Sequence, residues 1–277
     1  MNLHTHTHYS DGLKPPIDYV NEAIRMGMKT LGFSDHSPLP FDNPFSIKAN
    51  DYQDYCNEIR TLKERYKNQI DIYLGLEIDY IPGMSTNFSS LKDMGNLDYV
   101  IGSVHLVGKG DAKDLWFTDG PNREIYDEGL QMFYDNNIQL GVKAFYEQTN
   151  RMIDSQQMDV VGHLDKIKMH NQNRYFTEDE NWYRNLVMET LTLISERGLI
   201  AEVNTRGIYK RRCDSLFPST WVLKEMHKLS IPIIISSDAH RPEELKMLFP
   251  EAYEAVKKAG YAEAMRFTGK GWQLAGF

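Results

Sequence analysis

The sequence predicts an α/β fold in which parallel strands and helices alternate around a barrel or near-barrel. Short apolar runs alternate with longer amphipathic stretches along the chain, which is the pattern of repeated βα units. Seven such runs occur, and 277 residues suffice for one large α/β domain. No repeat, low-complexity segment or linker divides the chain, so we expect residues 1–277 to form a single domain.

The individual elements follow from this alternation. The predicted strands are Asn2–His4, Leu31–Ser34, Ile72–Leu76, Tyr99–Ser103, Val160–Gly162, Leu199–Val203 and Ile233–Ser236. The predicted helices are Pro16–Met26, Asp51–Lys67, Ser89–Met94, Ile125–Ser155, Asn181–Arg197 and Ser219–Leu229. The stretch from Lys109 to Asn122 is polar and glycine-rich. We expect it to be a long irregular surface loop, a type of segment that often carries function.

Composition and charge exclude several classes of protein. The formal net charge is -8, whereas a nucleic-acid-binding surface needs clustered lysine and arginine. The N-terminus has no basic stretch followed by an apolar one, and no run of about 18 apolar residues occurs. Cys56 and Cys213 are expected to be reduced thiols. These features predict a cytoplasmic protein with no nucleic-acid, membrane or obligate protein partner.

Polar side chains that can bind a metal, or support one that does, follow every predicted strand. In chain order they are His4, His6, Asp35, His36, Glu77, Asp79, Ser103, His105, His163, Asp165, Glu202, Asn204, Arg206, Asp238 and His240. In a βα barrel the carboxyl ends of all strands meet on one face, where active sites are built. His4 and His6 also share a face of their strand, because strand side chains alternate. We therefore expect residues from most of the chain to converge on one pocket.

The types of side chain define the chemistry of this pocket. Neutral imidazoles and carboxylates suit divalent zinc, manganese or iron. The set is too large for one tetrahedral ion, so two or three ions that share bridging carboxylates are predicted. Such centres are suited to hydrolysis at phosphorus, because one ion generates hydroxide while others hold the phosphoryl oxygens. An acidic protein can still take an anionic substrate, since the ions supply positive charge.

Six short motifs resemble those of the polymerase and histidinol phosphatase (PHP) family. They are LHTHTHYSDG at 3–12, FSDHSP at 33–38, GLE at 75–77, GSVH at 102–105, GH at 162–163 and SDAH at 237–240. The motifs occur in the family's order and span nearly the whole chain. The resemblance implies a distorted (β/α)7 TIM-like barrel with a trinuclear metal site.

The resemblance also implies which residues hold each ion. The first set is His4, His6, Glu77 and Asp238; the second is Glu77, His105 and His163; the third is His36, His240 and Asp11. Many family members have a histidine near Asp11, and His8 competes for this place because it is in phase with His4 and His6. The Ser-Asp-Gly turn favours Asp11.

Members of about this length with these second, fourth and fifth motifs look most like histidinol phosphatases. The resemblance thus implies that a metal-bound hydroxide hydrolyses L-histidinol phosphate, a small-molecule phosphate ester. Arg206 follows the sixth strand and is predicted to contact the phosphate, because a guanidinium can bind it in a bidentate manner. Lys166, Lys168 and Ser103 are further substrate-binding candidates.

Two carboxylates are assigned to the leaving group. Asp165 is predicted to be the general acid, or alternatively a partner that orients a ligand histidine. Asp119, in the long loop, is predicted to contact the cationic end of the substrate. His170 is expected at the surface, and His227 is expected either to face solvent or to pack locally.

Three other activities stay open. The first is a phosphatase acting on nucleotides, sugar phosphates or tyrosine phosphate. The second is an accessory or proofreading module of a polymerase, against which the acidic charge and the absence of an attached domain argue. The third is a hydrolase of C–N bonds, since amidohydrolases also use His-x-His on a barrel strand. Those enzymes commonly place a carboxylated lysine where this chain has Glu77.

Overall fold

The computed structural model describes residues 1–108 and 110–277. Its strands are β1 (Thr30–Phe33), β2 (Asp71–Asp79), β3 (Tyr99–Ser103), β4 (Leu106–Gly108), β5 (Leu115–Phe117), β6 (Val160–Val161), β7 (Ile200–Asn204), β8 (Ile233–Ser236), β9 (Glu263–Phe267) and β10 (Trp272–Gly276). Its α-helices are α1 (Pro16–Arg25), α2 (Tyr52–Tyr66), α3 (Phe88–Gly95), α4 (Arg123–Tyr134), α5 (Ile138–Ser155), α6 (Asn181–Glu196), α7 (Arg206–Tyr209), α8 (Thr220–Lys228) and α9 (Phe249–Ala259).

The main sheet is parallel and curls into a distorted barrel. Six strands pair in the order β1-β2-β3-β6-β7-β8. The N-terminal segment lies between the two edge strands, with parallel bridges from Asn2 to Leu31 and from Thr5 to Ala239. The backbone N–H of His6 donates to the carbonyl of Ala239 at 2.8 Å. The predicted α/β barrel is confirmed, whereas the predicted strand Asn2–His4 is present only as isolated bridges.

The interior of the barrel is apolar at the amino ends of its strands. Leu3, Tyr73 and Tyr99 are buried there, and Phe267 from the hairpin β9–β10 packs against both tyrosine rings. Gly75 leaves room for this packing, because a Cβ at that position would lie 2.4 Å from the ring of Tyr99. The amino end is thus closed, and polar side chains collect at the carboxyl end.

The predicted helix Ile125–Ser155 is in fact two helices. α4 ends where Asp135 and Asn136 adopt left-handed φ angles of 49° and 61°. Asn137 then caps α5, its side chain accepting from the N–H of Leu140 at 3.3 Å. Aspartate and asparagine tolerate the left-handed region and favour caps, so the Asp-Asn-Asn sequence carried this signal. The other predicted helices agree with the structure to within one or two residues at each end.

Part of the expected loop 109–122 forms regular structure. Lys109 lies outside the described residues. Residues Leu115–Phe117 form β5, which pairs antiparallel with β4. Trp116 is fully buried, and its Nε1 donates to the carbonyl of Tyr126 at 2.9 Å. The prediction of an irregular surface loop was wrong for Leu115–Phe117, where Leu115 and Trp116 are buried.

The C-terminal α9 and the hairpin β9–β10 were not predicted from the sequence. The hairpin strands are short and alternate weakly, and they cover the amino end of the barrel. Within the part of the chain that is described, no helix is both long and apolar enough to cross a lipid bilayer.

Candidate metal centre

Buried imidazoles and carboxylates meet at the carboxyl ends of the barrel strands. The imidazoles of His4, His6, His36, His105, His163 and His240 and the carboxylates of Glu77 and Asp238 are all less than about one-tenth exposed. His4 and His6 come from the N-terminal segment, and the others come from the ends of β1, β2, β3, β6 and β8 or the residues just after them, as the barrel topology requires.

The first group of side chains centres on the N-terminal segment. Nε2 of His4 and Nε2 of His6 lie 3.2 and 3.4 Å from Oε2 of Glu77. The same nitrogens lie 3.8 and 3.4 Å from Oδ1 of Asp238. The alternation of an extended segment brings the two imidazoles to one face, as the His-x-His spacing predicted.

The second group uses the other oxygen of Glu77. Oε1 lies 2.8 Å from Nε2 of His163 and 3.5 Å from Nε2 of His105. The two imidazole nitrogens are 3.2 Å apart and face each other. Glu77 therefore stands between the first and second groups with one oxygen toward each, the arrangement of a bridging carboxylate.

The third group lies beside His6. Nε2 of His240 is 3.1 Å from the carboxylate of Asp11, and Nδ1 of His6 is 3.6 Å from it. Ligand atoms of these three residues and His36 all lie within 4.8 Å of one another. His8 is instead exposed, with its ring 4.6 Å from that of Tyr9.

A tight turn presents Asp11 to this group. The N–H of Gly12 donates to the carbonyl of Thr7 at 2.9 Å. A Cβ at residue 12 would lie 2.1 Å from the carbonyl oxygen of His6, so the chain can double back here only with glycine. Asp35 stabilises the turn, because its Oδ1 accepts from the N–H of Thr7 at 2.7 Å and from the hydroxyl of Ser10 at 2.6 Å.

The side chains present fit divalent metal ions. Among the described residues, Nε2 of His4, both ring nitrogens of His6, Nδ1 of His36 and Oδ1 of Asp11 are buried without a hydrogen-bond partner. Buried polar atoms normally have hydrogen-bond partners. Because these unpaired atoms converge, metal ions bound between them would be partners for all of them. Two ligands each about 2.1 Å from a zinc ion lie a little over 3 Å apart, close to the separations found here.

Among the protein groups alone, the electrostatics of the centre act differently on different side chains: despite burial, the surrounding carboxylates raise the pKa values of His4, His36 and His105. Burial, together with the nearby His240 and His36, lowers the pKa of His6 to about 3, which keeps this imidazole neutral. Burial alone would raise the pKa of Glu77, but the surrounding imidazoles of His4 and others hold it well below its ordinary value. The Glu77 carboxylate is thus ionised and the His6 imidazole is neutral, the forms that metal binding requires.

A cavity of about 240 Å³ opens onto the three groups. It is lined by Asp11, His36, Pro44, Phe45, Glu77, His105, Phe117, Asp119, Pro121, Lys166, Arg206, Arg212, Asp238 and His240. Nζ of Lys166 lies 2.8 Å from Oδ2 of Asp119 and 3.8 Å from Oδ2 of Asp238. Nη1 of Arg206 donates to the backbone carbonyl of Asp238 at 2.7 Å. The predicted Arg206, Lys166 and Asp119 are thus together at the cavity.

Three other predicted substrate contacts are not brought to the cavity. Asp165 is fully buried, and its Oδ2 accepts from Nζ of Lys168 at 2.7 Å and from the N–H of Ser219 at 3.0 Å. Lys168 is buried in the same ion pair. The hydroxyl of Ser103 donates to Oε1 of Glu77 at 2.6 Å. Each of these side chains is bound to another protein group and none lines the cavity, so their predicted roles stay predictions.

The comparisons with known proteins identify the family. The family model for the PHP domain matches residues 2–206, about three quarters of the chain. The chain belongs to the PHP domain family. Five of the six motifs that resemble those of the PHP family lie within the matched region. The last motif, at 237–240, lies beyond it.

Relatives of this PHP domain agree in length and fold. The histidinol-phosphatase of Bacillus subtilis is 29% identical over 86% of this chain and 90% of its own. That of Lactococcus lactis is 26% identical over 97% and 94%. In structure, a Listeria monocytogenes protein matches with a TM-score of 0.75 at 21% identity, over 90% of this chain and 98% of its own. The histidinol phosphate phosphatase of L. lactis, solved with zinc, L-histidinol and phosphate, matches with a TM-score of 0.69 at 22% identity, over 98% of both chains.

Two carboxylates of this PHP domain support the imidazoles from behind, a role not assigned from the sequence. Oε1 of Glu202 lies 2.5 Å from Nδ1 of His4, and its Oε2 accepts from the N–H of His163 at 2.8 Å. Asp79 contacts Nδ1 of His105 through one oxygen. Its other oxygen lies 3.2 Å from Nδ1 of His36, and these three residues could also hold an ion. Glu202 and Asp79 both follow the strand alternation, and Asp79 lies two residues after Glu77 on β2. That spacing was visible in the sequence, but the choice between ligand and supporting group was not.

His170 was expected at the surface and is buried. Its Nε2 lies 2.8 Å from the carbonyl oxygen of Gly120 and so ties the segment beside Asp119 to the barrel. The polar, asparagine-rich surroundings of His170 in the sequence gave no sign of this tertiary contact. His227 is exposed, as expected.

Proposed function

We propose that this PHP domain is a histidinol-phosphatase, a metal-dependent phosphomonoesterase that hydrolyses L-histidinol phosphate to L-histidinol and phosphate. The observation that carries the proposal is the convergence of unpaired imidazole and carboxylate atoms beside a cavity that Lys166 and Arg206 also line. The substrate is supported by relatives described as histidinol-phosphatases, which align over most of this chain.

The proposed ligand sets are those implied by the family motifs. His4, His6, Glu77 and Asp238 would hold one ion; Glu77, His105 and His163 a second; and His36, His240 and Asp11 a third. Two or three ions of zinc, manganese or iron suit this mixture of nitrogen and oxygen ligands. Asp11 is favoured over His8, since His8 is exposed and lies outside the groups.

When bound, the ions supply a hydroxide nucleophile at neutral pH and offset charge on the phosphoryl oxygens. The chain's own cations are proposed to complete the phosphate site. Arg206 and Lys166 both line the cavity, and their side chains are about one-tenth exposed. In so dry a site, preorganised charge stabilises the transition state more strongly than it would in water.

The leaving-group side of the cavity is proposed to recognise the cationic part of the substrate. Oδ1 of Asp119 is buried without a partner among the described residues, while Oδ2 binds Lys166. An ammonium or imidazolium group could donate to this free oxygen. Asp165 is proposed to be a structural group rather than the general acid. Lys168 and Ser219 both bind one of its oxygens, and Asp165 does not line the cavity.

Steady-state kinetics over a panel of phosphate esters tests the proposal. We expect kcat/KM to be highest for L-histidinol phosphate among esters that include a nucleoside monophosphate, a sugar phosphate and phosphotyrosine. The Asp119→Asn variant should lose more activity toward histidinol phosphate than toward phenyl phosphate, because the leaving group of phenyl phosphate carries no positive charge. A higher kcat/KM for another ester of the panel would exclude L-histidinol phosphate as the preferred substrate, but the protein would still be a phosphatase. The expectations of a cytoplasmic enzyme without nucleic-acid, membrane or obligate protein partners stay predictions.

A further inference from the structure

The last motif carries a strained backbone. Asp238 has a φ of 52°, in the left-handed region that most L-residues avoid. This turn lets two side chains separated by one residue reach the centre. Oδ1 of Asp238 lies 3.4 Å from Nε2 of His6, and Nε2 of His240 lies 3.1 Å from Asp11. Strained residues of this kind persist only where their surroundings hold them.

The short helix α7 supplies the groups that hold this turn. The hydroxyl of Tyr209 donates to the carbonyl of Ser237 at 2.8 Å and lies 3.2 Å from that of Asp238. Nη1 of Arg206 donates to the same Asp238 carbonyl and lies 3.4 Å from the Tyr209 oxygen. Two successive carbonyls of the strained segment are therefore bound by side chains from one helical turn.

We propose that Tyr209 is a positioning residue for the metal centre, fixing the Ser237–Asp238 backbone so that Asp238 and His240 are both directed at the ions. Tyr209 follows the region matched by the family model, and the shortest contact of its hydroxyl is with a backbone carbonyl; the side chains of Arg206 and Glu244 lie farther away, at 3.4 and 3.5 Å. Because it binds no ligand atom itself, its effect would be transmitted through the backbone that carries two ligands. The proposal rests on the proposed metal centre and is independent of the identity of the phosphate ester.

A matched control separates positioning from ordinary structural support. Tyr261 is also partly buried, and its hydroxyl donates to the carbonyl of Ile231 at 2.9 Å. Ile231 is not part of the centre. Tyr209→Phe and Tyr261→Phe thus each remove one hydroxyl and free a backbone carbonyl, but only the first should disturb the ligands. A purely structural role would lower the melting temperature of both and leave metal affinity unchanged.

The test measures Zn²⁺ affinity of the full chain by competition with a chromophoric chelator, without any substrate. We expect Tyr209→Phe to bind Zn²⁺ about 10- to 100-fold more weakly than the parent, the range found when groups behind metal ligands are removed. Tyr261→Phe should bind as the parent does. Thermal unfolding of the metal-free proteins checks that both variants fold. Equal affinity in the parent and both folded variants would overturn the proposal. The Zn²⁺ measurement uses no substrate, so an error in the proposed substrate would be detected only by the kinetic panel described above.

Discussion

Nδ1 of His4 lies 2.5 Å from Oε1 of Glu202, so a fully buried carboxylate contacts the imidazole from the side opposite the metal centre. Nε2 of the same ring lies 3.2 Å from Glu77. Glu202 thereby fixes which ring nitrogen is free to bind an ion, and its other oxygen binds the backbone of His163. One carboxylate orients two segments that carry ligands.

Glu202→Gln should weaken metal binding more than it weakens the fold. The amide preserves the shape but removes the charge that favours a proton on Nδ1 of His4. We expect Zn²⁺ affinity to fall about 10- to 100-fold. Equilibrium dialysis measures this, with Glu225→Gln, which alters an exposed pair with Lys228, as the control. Unchanged affinity would exclude an orienting role for Glu202.

Asp11→Asn and His8→Ala decide between the two candidates for the third ion. Asp11 faces His240 and His6, whereas the side chain of His8 is exposed. Elemental analysis should find fewer ions per chain in Asp11→Asn and the parental number in His8→Ala. The reverse pattern would assign the site to His8.

Asp165→Asn should reduce stability rather than chemistry. The substitution removes the nearer of the two carboxylates that pair with buried Lys168 and leaves only Glu178, at 3.6 Å. Breaking a buried pair costs about 3–5 kcal/mol, which is the upper limit here. Denaturant unfolding should detect this loss, while kcat of the folded variant stays near the parent's. A fall in kcat of about 10²- to 10⁴-fold, without loss of stability, would instead restore Asp165 as the general acid.

Lys166→Met should impair turnover of phosphate esters in general. Lys166 lines the cavity between Asp119 and Asp238, where its charge can meet a phosphoryl oxygen. We expect kcat/KM to fall about 10²- to 10³-fold, as when one transition-state donor is removed. Lys92→Met, at a partly exposed pair with Asp159, serves as the control. Comparable rates in both variants would place Lys166 outside the phosphate site.

The sequence predicted the centre better than its surroundings, for a physical reason. Strand alternation and the common direction of strand ends bring His4, His6 and Glu77 together whatever the details of packing. The role of Asp165 depends on Lys168 and Ser219, contacts that no local pattern encodes. The order of the segment around Trp116 likewise follows from tertiary burial. Asp135 and Asn136 could have been recognised in the sequence as a helix break. The apolar periodicity on both sides of them favoured a single helix instead.

The metal dependence of catalysis is the most direct test of the central claim. Purified protein would be analysed for metal content, stripped by exhaustive chelation, and assayed with L-histidinol phosphate before and after adding Zn²⁺ or Mn²⁺. Two or three ions per chain, loss of activity on stripping and recovery on adding metal are the predicted results. A stripped protein that holds no metal and still hydrolyses the ester at the full rate would contradict the account.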